Sequence, residues 1–459
     1  MREINHLYWR AGFGIAPGEW EQYRKLSRTK AVNQLFSQAK SSFSQPVRTT
    51  IEEGIDPRKL SQAKRQEMAR AEQRKVADVI FDWYSYMGDS NYSPLLERMT
   101  LFWHGHFACR SRSGKLAANQ INAIRKHALG DFRSLLVAIS KDPSMIRYLN
   151  NQQNRKGKPN ENFARELMEL FTIGRGHYTE NDIKEAARAF TGWTSNFSGE
   201  YVFRKFFHDY GEKMFMGKKG NFDGTDIIDI ILENKATALY ITNKIYKYFV
   251  NSTPDEAIVR SLANQFYSSN YDISALMRTI FESDWFYSKK NMGHKFKSPV
   301  DLVAGLMKTM DLKFEETSAM VFVHRSLGQT LFNPPNVAGW PGGKAWIDNS
   351  TLMLRLNMVS ILMTSKEVNL RTKDEFEAKQ RSKATKRLQA SIDLEPMINL
   401  LSSLSDQRIY DYLKEYLLLS PSKTNELMFR RLAADATDRN DLVKRGLLFF
   451  CSLPEYQLC

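Results

Sequence analysis

The chain has 459 residues, 42% of them hydrophobic and 25% charged, ordinary globular proportions that exclude wholesale disorder. No apolar run approaches the roughly 18 residues a spanning helix needs, which excludes a helical integral membrane protein. The 66 Lys and Arg outnumber the 51 Asp and Glu, and the net charge of +15 favours acidic partners or a solvated cationic face.

In chain order, the stretch from Met1 to Arg10 carries Glu3 and no apolar segment ending in small residues, so it does not read as a secretory signal. The expected compartment is the cytoplasm as written, or the exterior if a leader was removed. Residues 58–87 place Leu60, Ala63, Met68, Ala71, Val76, Val79, Ile80, Trp83 and Tyr84 at three- and four-residue steps in a charged background, the pattern of a long amphipathic helix. Pro94 suits the first turn of a second helix carrying Leu95, Met99, Phe102 and Trp103, because its missing amide is not needed there. Phe163, Leu167, Leu170 and Phe171 form the apolar stripe of another. Thr179-Glu180-Asn181-Asp182 reads as a capping box ahead of the stripe Ile183, Ala186, Ala187 and Phe190. Strand signal is thin: Tyr201 to His208, a turn at Asp209-Tyr210-Gly211, and Lys213 to Met216 suggest one hairpin. The expected fold is mainly α, a large multi-helix fold with one short β-hairpin. A main helical body over 1–365, a charged linker or exposed helix over 366–388 and a C-terminal helical region over 389–459 are the expected units. Cys109, Cys451 and Cys459 lack C-x-x-C spacing, so neither a disulfide framework nor a thiolate zinc site is expected.

Four segments concentrate residues of catalytic type. His104 and His106 form an H-x-H pair, yet residues two apart on an α-helix point about 200° away from each other, so they share an ion only if the helix ends near Gly105. His106 fits a ligand or a core histidine equally well. Glu161 with Arg165, and Arg165 with Glu169, are i,i+4 pairs of an exposed helix, whereas Glu166 lies toward the Phe163 and Leu170 side, and a buried carboxylate needs a cation, a metal or a shifted pKa. His208-Asp209 with Lys213 reads either as metal-ligating or as ordinary turn chemistry. The Pro/Gly-rich segment from Asn333 to Trp346 offers Trp340 and Trp346 for stacking on a ligand or for filling the core. No phosphate-binding glycine loop, dinucleotide fingerprint, nucleophile elbow or HExxH stands anywhere in the chain.

Six ordered motifs together resemble the bacterial domain-of-unknown-function family 1800 (DUF1800): His6 to Gly14, Phe102 to Phe107, Asn160 to Leu167, Phe190 to Trp193, His208-Asp209 with Lys213 and Gly217, and Gly339-Trp340-Pro341. The resemblance runs from about Asn5 to about Asn357. It implies a largely helical bacterial protein, often encoded beside a sulfatase-like protein, and brings no established catalytic residues with it. Many relatives differ in carrying His where Phe171 stands, and many are exported.

The function expected from these residues is a metal-assisted enzyme, a hydrolase, with a divalent ion held by His104 or His106, Glu166, His208 and Asp209. Glu97 or Glu161 would be the general base, and Lys213 or Arg165 would stabilise developing negative charge. For this site, Glu166 should be mostly buried, paired, and in one cavity with His208 and one of the two α-helical histidines. The competing expectation is a non-catalytic binding or assembly protein whose polar clusters are structural and whose basic surface takes an acidic small molecule, glycan or protein. Trp340 and Trp346 would be its ligand-binding residues, the sulfatase-like neighbour is a further candidate partner, and nucleic acid is not the expected one because no reading module accompanies the charge.

Overall fold

A computed structural model describes residues 1–41, 47, 61–196, 198–364, 367–368, 386–387, 390–420 and 424–459. Helices dominate, joined by small two-stranded sheets. At the centre runs the helix Pro94–His106, buried at every residue except Pro94 and Gly105, as expected for a helix apolar around most of its circumference. Pro94 opens it, and the Ser93 hydroxyl accepts the Leu96 amide, satisfying a donor the first turn would leave free. The helices Arg2–Ala11, Arg28–Ser41, Gln62–Gly88 and Gly114–His127 pack around it. In Gln62–Gly88 only the second half is core: Val76, Val79, Ile80, Trp83 and Tyr84 are buried, Ala63 is exposed, and Leu60 lies outside the described residues.

The capping box at Thr179 is present, with Asp182 N–H donating to Thr179 Oγ1 at 3.2 Å and Thr179 N–H to Asp182 Oδ2 at 2.8 Å. The expected hairpin is not formed as expected. Tyr201–Phe203 pairs backwards with Trp193–Ser195, residues 205–207 make a 3-10 turn, and Lys213–Phe215 pairs forwards with Lys218–Gly220. Two causes are visible. Met216 and Gly217 both have positive φ, 48° and 79°, the pattern of a type I′ turn that closes a two-residue hairpin after Phe215. Asp209, meanwhile, accepts the Gly211 amide on Oδ1 at 2.8 Å and Arg188 Nε on Oδ2 at 2.8 Å, which ties the turn to the helix Glu180–Ala189 rather than to a strand partner.

The C-terminal region is joined to the main body by backbone hydrogen bonds. Leu312–Phe314 pairs with Ala390–Ile392, Lys297 N–H donates to Gln457 O at 2.8 Å, and Cys459 N–H donates to Lys295 O at 2.8 Å. The Asn5 side chain donates to the carbonyls of Glu415 and Tyr416. Of 366–388 only 367–368 and 386–387 are described, and these pair as a short antiparallel ladder.

A buried ionic network ties these parts together. Arg98 pairs with Asp301 and donates to Gly12 O at 2.9 Å, with Lys295 Nζ 3.5 Å from the other Asp301 oxygen. Arg10 donates to Asn291 O at 2.8 Å. Lys297 Nζ lies between the rings of Trp9 and Tyr456, 3.6 and 3.7 Å from their centroids. Burial acts to raise the Asp301 carboxyl, but Arg98 and Lys295 outweigh it and hold the group well below the usual carboxylate range.

Candidate functional site

The central helix uses its ionisable residues for packing. Glu97 accepts from Arg125 Nη2 at 2.7 Å and from Trp83 Nε1 at 2.8 Å, all inside the core. Burial raises its carboxyl and the Arg125 guanidinium opposes the rise. His104 Nε2 accepts the Phe332 amide at 3.2 Å, which puts the ring proton on Nδ1. Its ring sits against Trp83, Phe332 and Trp340, and burial drives it down to about 3. His106 points away, as the helical spacing requires: its Nε2 lies 3.0 Å from Phe171 O and its Nδ1 3.4 Å from Lys244 Nζ.

Phe171 belongs to a feature the sequence did not announce. The helix Asn162–Glu166 widens into a π-helix over Leu167–Thr172. Carbonyls of its last turn, which have no intrahelical donor, find partners in two other helices: Leu170 O accepts from Lys244 Nζ at 3.0 Å and Tyr240 Oη at 3.1 Å, and Phe171 O from His106. Burial lowers the Lys244 ammonium to about 8. Glu161 bonds Arg165 at 3.3 Å, and Arg165 reaches on to Glu180 at 2.8 Å, an ordinary surface set. Glu166 is half-buried, its carboxyl raised by burial and then by Glu169. Among the described residues no cation or hydrogen-bond donor pairs with it, contrary to expectation.

His208-Asp209 and Lys213 are turn chemistry. His208 Nδ1 donates to Thr191 O at 2.9 Å, Asp209 is held by Arg188 and the Gly211 amide, and Lys213 Nζ donates to the carbonyls of Asp209 at 2.7 Å and Gly211 at 3.0 Å. The Arg188 bond keeps the Asp209 carboxyl low, and burial lowers the Lys213 amine. The expected metal set of His104, His106, Glu166, His208 and Asp209 therefore does not converge. Among the described residues no three His, Cys, Asp or Glu side chains come together in an arrangement that could hold an ion. The physical reason is local: His104, His106, His208 and Asp209 each have a nearer backbone or side-chain partner. Trp346 is buried at 7% exposure, whereas Trp340 is half-buried against His104. Their loop rests on the end of the central helix, where a Cβ on Gly339 would come within 2.6 Å of Gly105 O.

A different place gathers unpaired charge. Asn154 is a buried hub: its Nδ2 donates to Ala187 O at 2.8 Å, its Oδ1 accepts the Asn160 amide at 2.9 Å, and its carbonyl accepts the Gly192 amide at 3.1 Å. Gly192, at φ +81°, lets the chain cross so closely that a Cβ there would stand 2.7 Å from Arg204 O. These bonds clamp the loop after Asn154 against the turn after Phe203, and Lys156 N–H to Phe207 O at 2.8 Å completes the clamp. A shallow crevice opens between Gln152 and Arg155 on one side and Trp193, Arg204 and Phe207 on the other. The Arg155 guanidinium lies 4.6 Å over the Phe207 ring. Arg155, Lys156, Lys158, Arg204 and Lys205 are all exposed, and none has an ion-pair partner among the described residues. Gln152 Oε1 is buried beside them without a partner. The sequence carried a cue, Arg155-Lys156-Gly157-Lys158 and Arg204-Lys205-Phe206-Phe207, but 45 residues separate the halves and only the fold joins them.

A family described as a protein of unknown function (DUF1800) matches residues 6–458, nearly the whole chain and well beyond Gly339-Trp340-Pro341. No curated protein and no solved structure matches it.

Proposed function

The chain belongs to the DUF1800 family, and from that premise together with the geometry above we propose a non-catalytic binding protein that engages an acidic partner through the face built by 155–158 and 204–207. One observation carries this reading: five exposed cations without ion-pair partners, held on two loops by backbone hydrogen bonds, while most acids considered above as catalytic groups or ligands are satisfied internally. Fixed, uncompensated charge of one sign attracts anions and speeds encounter, and the crevice beside Arg155 and Arg204 gives an anionic group two guanidiniums to meet. The test is retention on a sulfated-polysaccharide resin, with the parent compared with a triple variant, Arg155→Glu, Lys156→Glu and Arg204→Glu. The parent should bind at low salt with affinity falling steeply as salt rises, and the variant should bind about tenfold or more weakly with an unchanged thermal melt. Equal retention of the two would overturn the reading.

A second reading, the metal-assisted hydrolase, keeps one supporting observation, the half-buried and unpaired Glu166. Metal analysis of untagged protein tests it: an equivalent of a divalent ion that is lost in Glu166→Gln would favour this reading over the first.

A further inference from the structure

We propose that the turn at Lys205-Phe206 is a membrane-contacting tip, with Phe206 entering the headgroup region of a bilayer rich in anionic phospholipid and the surrounding Lys and Arg side chains meeting lipid phosphates. The inference rests on the basic face just described and assigns its partner. Phe206 is 89% exposed, the most exposed large apolar side chain among the described residues, and Tyr210 at 52% and Met214 at 45% follow within eight residues. A single exposed apolar residue is ordinary, but three in one short segment beside five unpaired cations are not.

The exposure is built rather than incidental. Arg204 N–H donates to Gly192 O at 2.8 Å, Phe207 N–H to Arg204 O at 2.9 Å, His208 N–H to Lys205 O at 3.1 Å, and Lys156 N–H to Phe207 O at 2.8 Å. Four backbone bonds thus hold the turn in the one arrangement that turns Phe207 toward Arg155 and leaves Phe206 in water. An apolar tip flanked by cations matches the two layers of a membrane surface, acyl boundary and phosphate plane. A nucleic-acid strand or an acidic polysaccharide would use a flat ring beside cations but has little use for the aliphatic Met214. No helix among the described residues is long and apolar enough to cross a membrane, and the contact proposed is a peripheral one.

The experiment uses the full chain and vesicles of phosphatidylcholine alone or mixed in equal parts with phosphatidylglycerol. The three cysteines are buried, so Phe206→Cys can be labelled selectively with an environment-sensitive fluorophore. Mixed vesicles should shift its emission to the blue, and pure phosphatidylcholine should not. Phe206→Ser should weaken sedimentation with mixed vesicles about tenfold, a loss set by apolar burial and insensitive to salt. Lys156→Glu with Lys205→Glu should weaken it at least as much, with the loss shrinking as salt rises. An unshifted label, equal binding of Phe206→Ser and parent, or tighter binding of single-stranded DNA than of vesicles, with the same Phe206 dependence, would overturn the proposal. Absence of vesicle binding with retention on the sulfated resin would remove the membrane assignment and leave the acidic-partner reading, whereas loss of both would remove both.

Discussion

Around Arg98 and around Arg204 the molecule gathers positive charge in opposite ways. Inside, Arg98 is fully buried, paired with Asp301 and bonded to the Gly12 carbonyl, while next door Arg125 clasps Glu97. On the face at 155–158 and 204–207, five cations stand in water with no acid paired to them among the described residues. Buried charge has to be neutralised where it lies, so ionisable residues in the core report architecture. Exposed charge left unneutralised carries no such obligation, and it is there that an external partner has room to act. A buried, perturbed ionisable group is a conventional pointer to an active site, and here Glu97 and Asp301, both perturbed, are paired inside the core.

The comparison can be broken first at Glu97. Glu97→Ala removes the carboxylate that pairs with the buried Arg125 guanidinium and should destabilise the fold by about 3–5 kcal/mol, read from the urea midpoint, whereas Glu97→Leu with Arg125→Met should recover most of the loss. A loss under about 1 kcal/mol for the single variant would mean the pair is not structural.

Acid sharpens the same contrast. His104 and His324 are held neutral by burial, each down to about 3. Unfolded histidines take up protons near 6.5, so the unfolded chain binds more protons than the folded one between about pH 6.5 and 3, and stability should fall as pH falls through that window. His104→Met should make this limb shallower, measured by urea midpoints from neutral pH downward. Lys297 predicts the alkaline limb. Burial lowers its amine to about 7, below the roughly 10.4 of an unfolded lysine, so the folded state binds fewer protons in between and stability should rise with pH across that range. Lys297→Met should flatten the rise in melting temperature between pH 7 and about 10.

Smaller effects belong to the periphery. Asp209→Asn weakens a partly exposed bond to Arg188 and should cost about 1 kcal/mol, seen as faster amide exchange in the 208–211 turn. Phe206→Ser should change stability by less than about 0.5 kcal/mol, since the side chain packs on almost nothing. A larger destabilisation would return Phe206 to the core and remove the contrast.

What was legible in the sequence follows the range of the interaction that decides it. The Thr179 capping box and the Pro94 start are set within four residues, and both form as the letters suggest. The strand register at 201–215 was settled by Arg188 pulling on Asp209 and by the left-handed pair Met216-Gly217, a competition that alternation of apolar residues does not encode. At the end of the π-helix Leu167–Thr172, the Leu170 carbonyl accepts from Lys244 and Tyr240, some seventy residues downstream, a pairing that no local pattern encodes. The candidate site suffered the same limit. His104, Glu166 and His208 have the right chemistry, but what each touches is set by Phe332, by Glu169 and by Thr191, and only the first and last supply a bond.

The attachment of the first helix to the far end of the chain has a consequence for how the protein is made. Asn5 waits for the carbonyls of Glu415 and Tyr416, and Trp9 for Lys297 and Tyr456. At about 5–20 residues per second, a ribosome needs roughly 20–90 s to travel from Trp9 to Tyr456. During that interval Leu7, Tyr8 and Trp9, each at most 2% exposed in the finished fold, have none of those late contacts to cover them. Asn5 and Trp9 thus gain these partners only once residues 415–456 have been made, and contacts that close some 400 residues of sequence are slow to form.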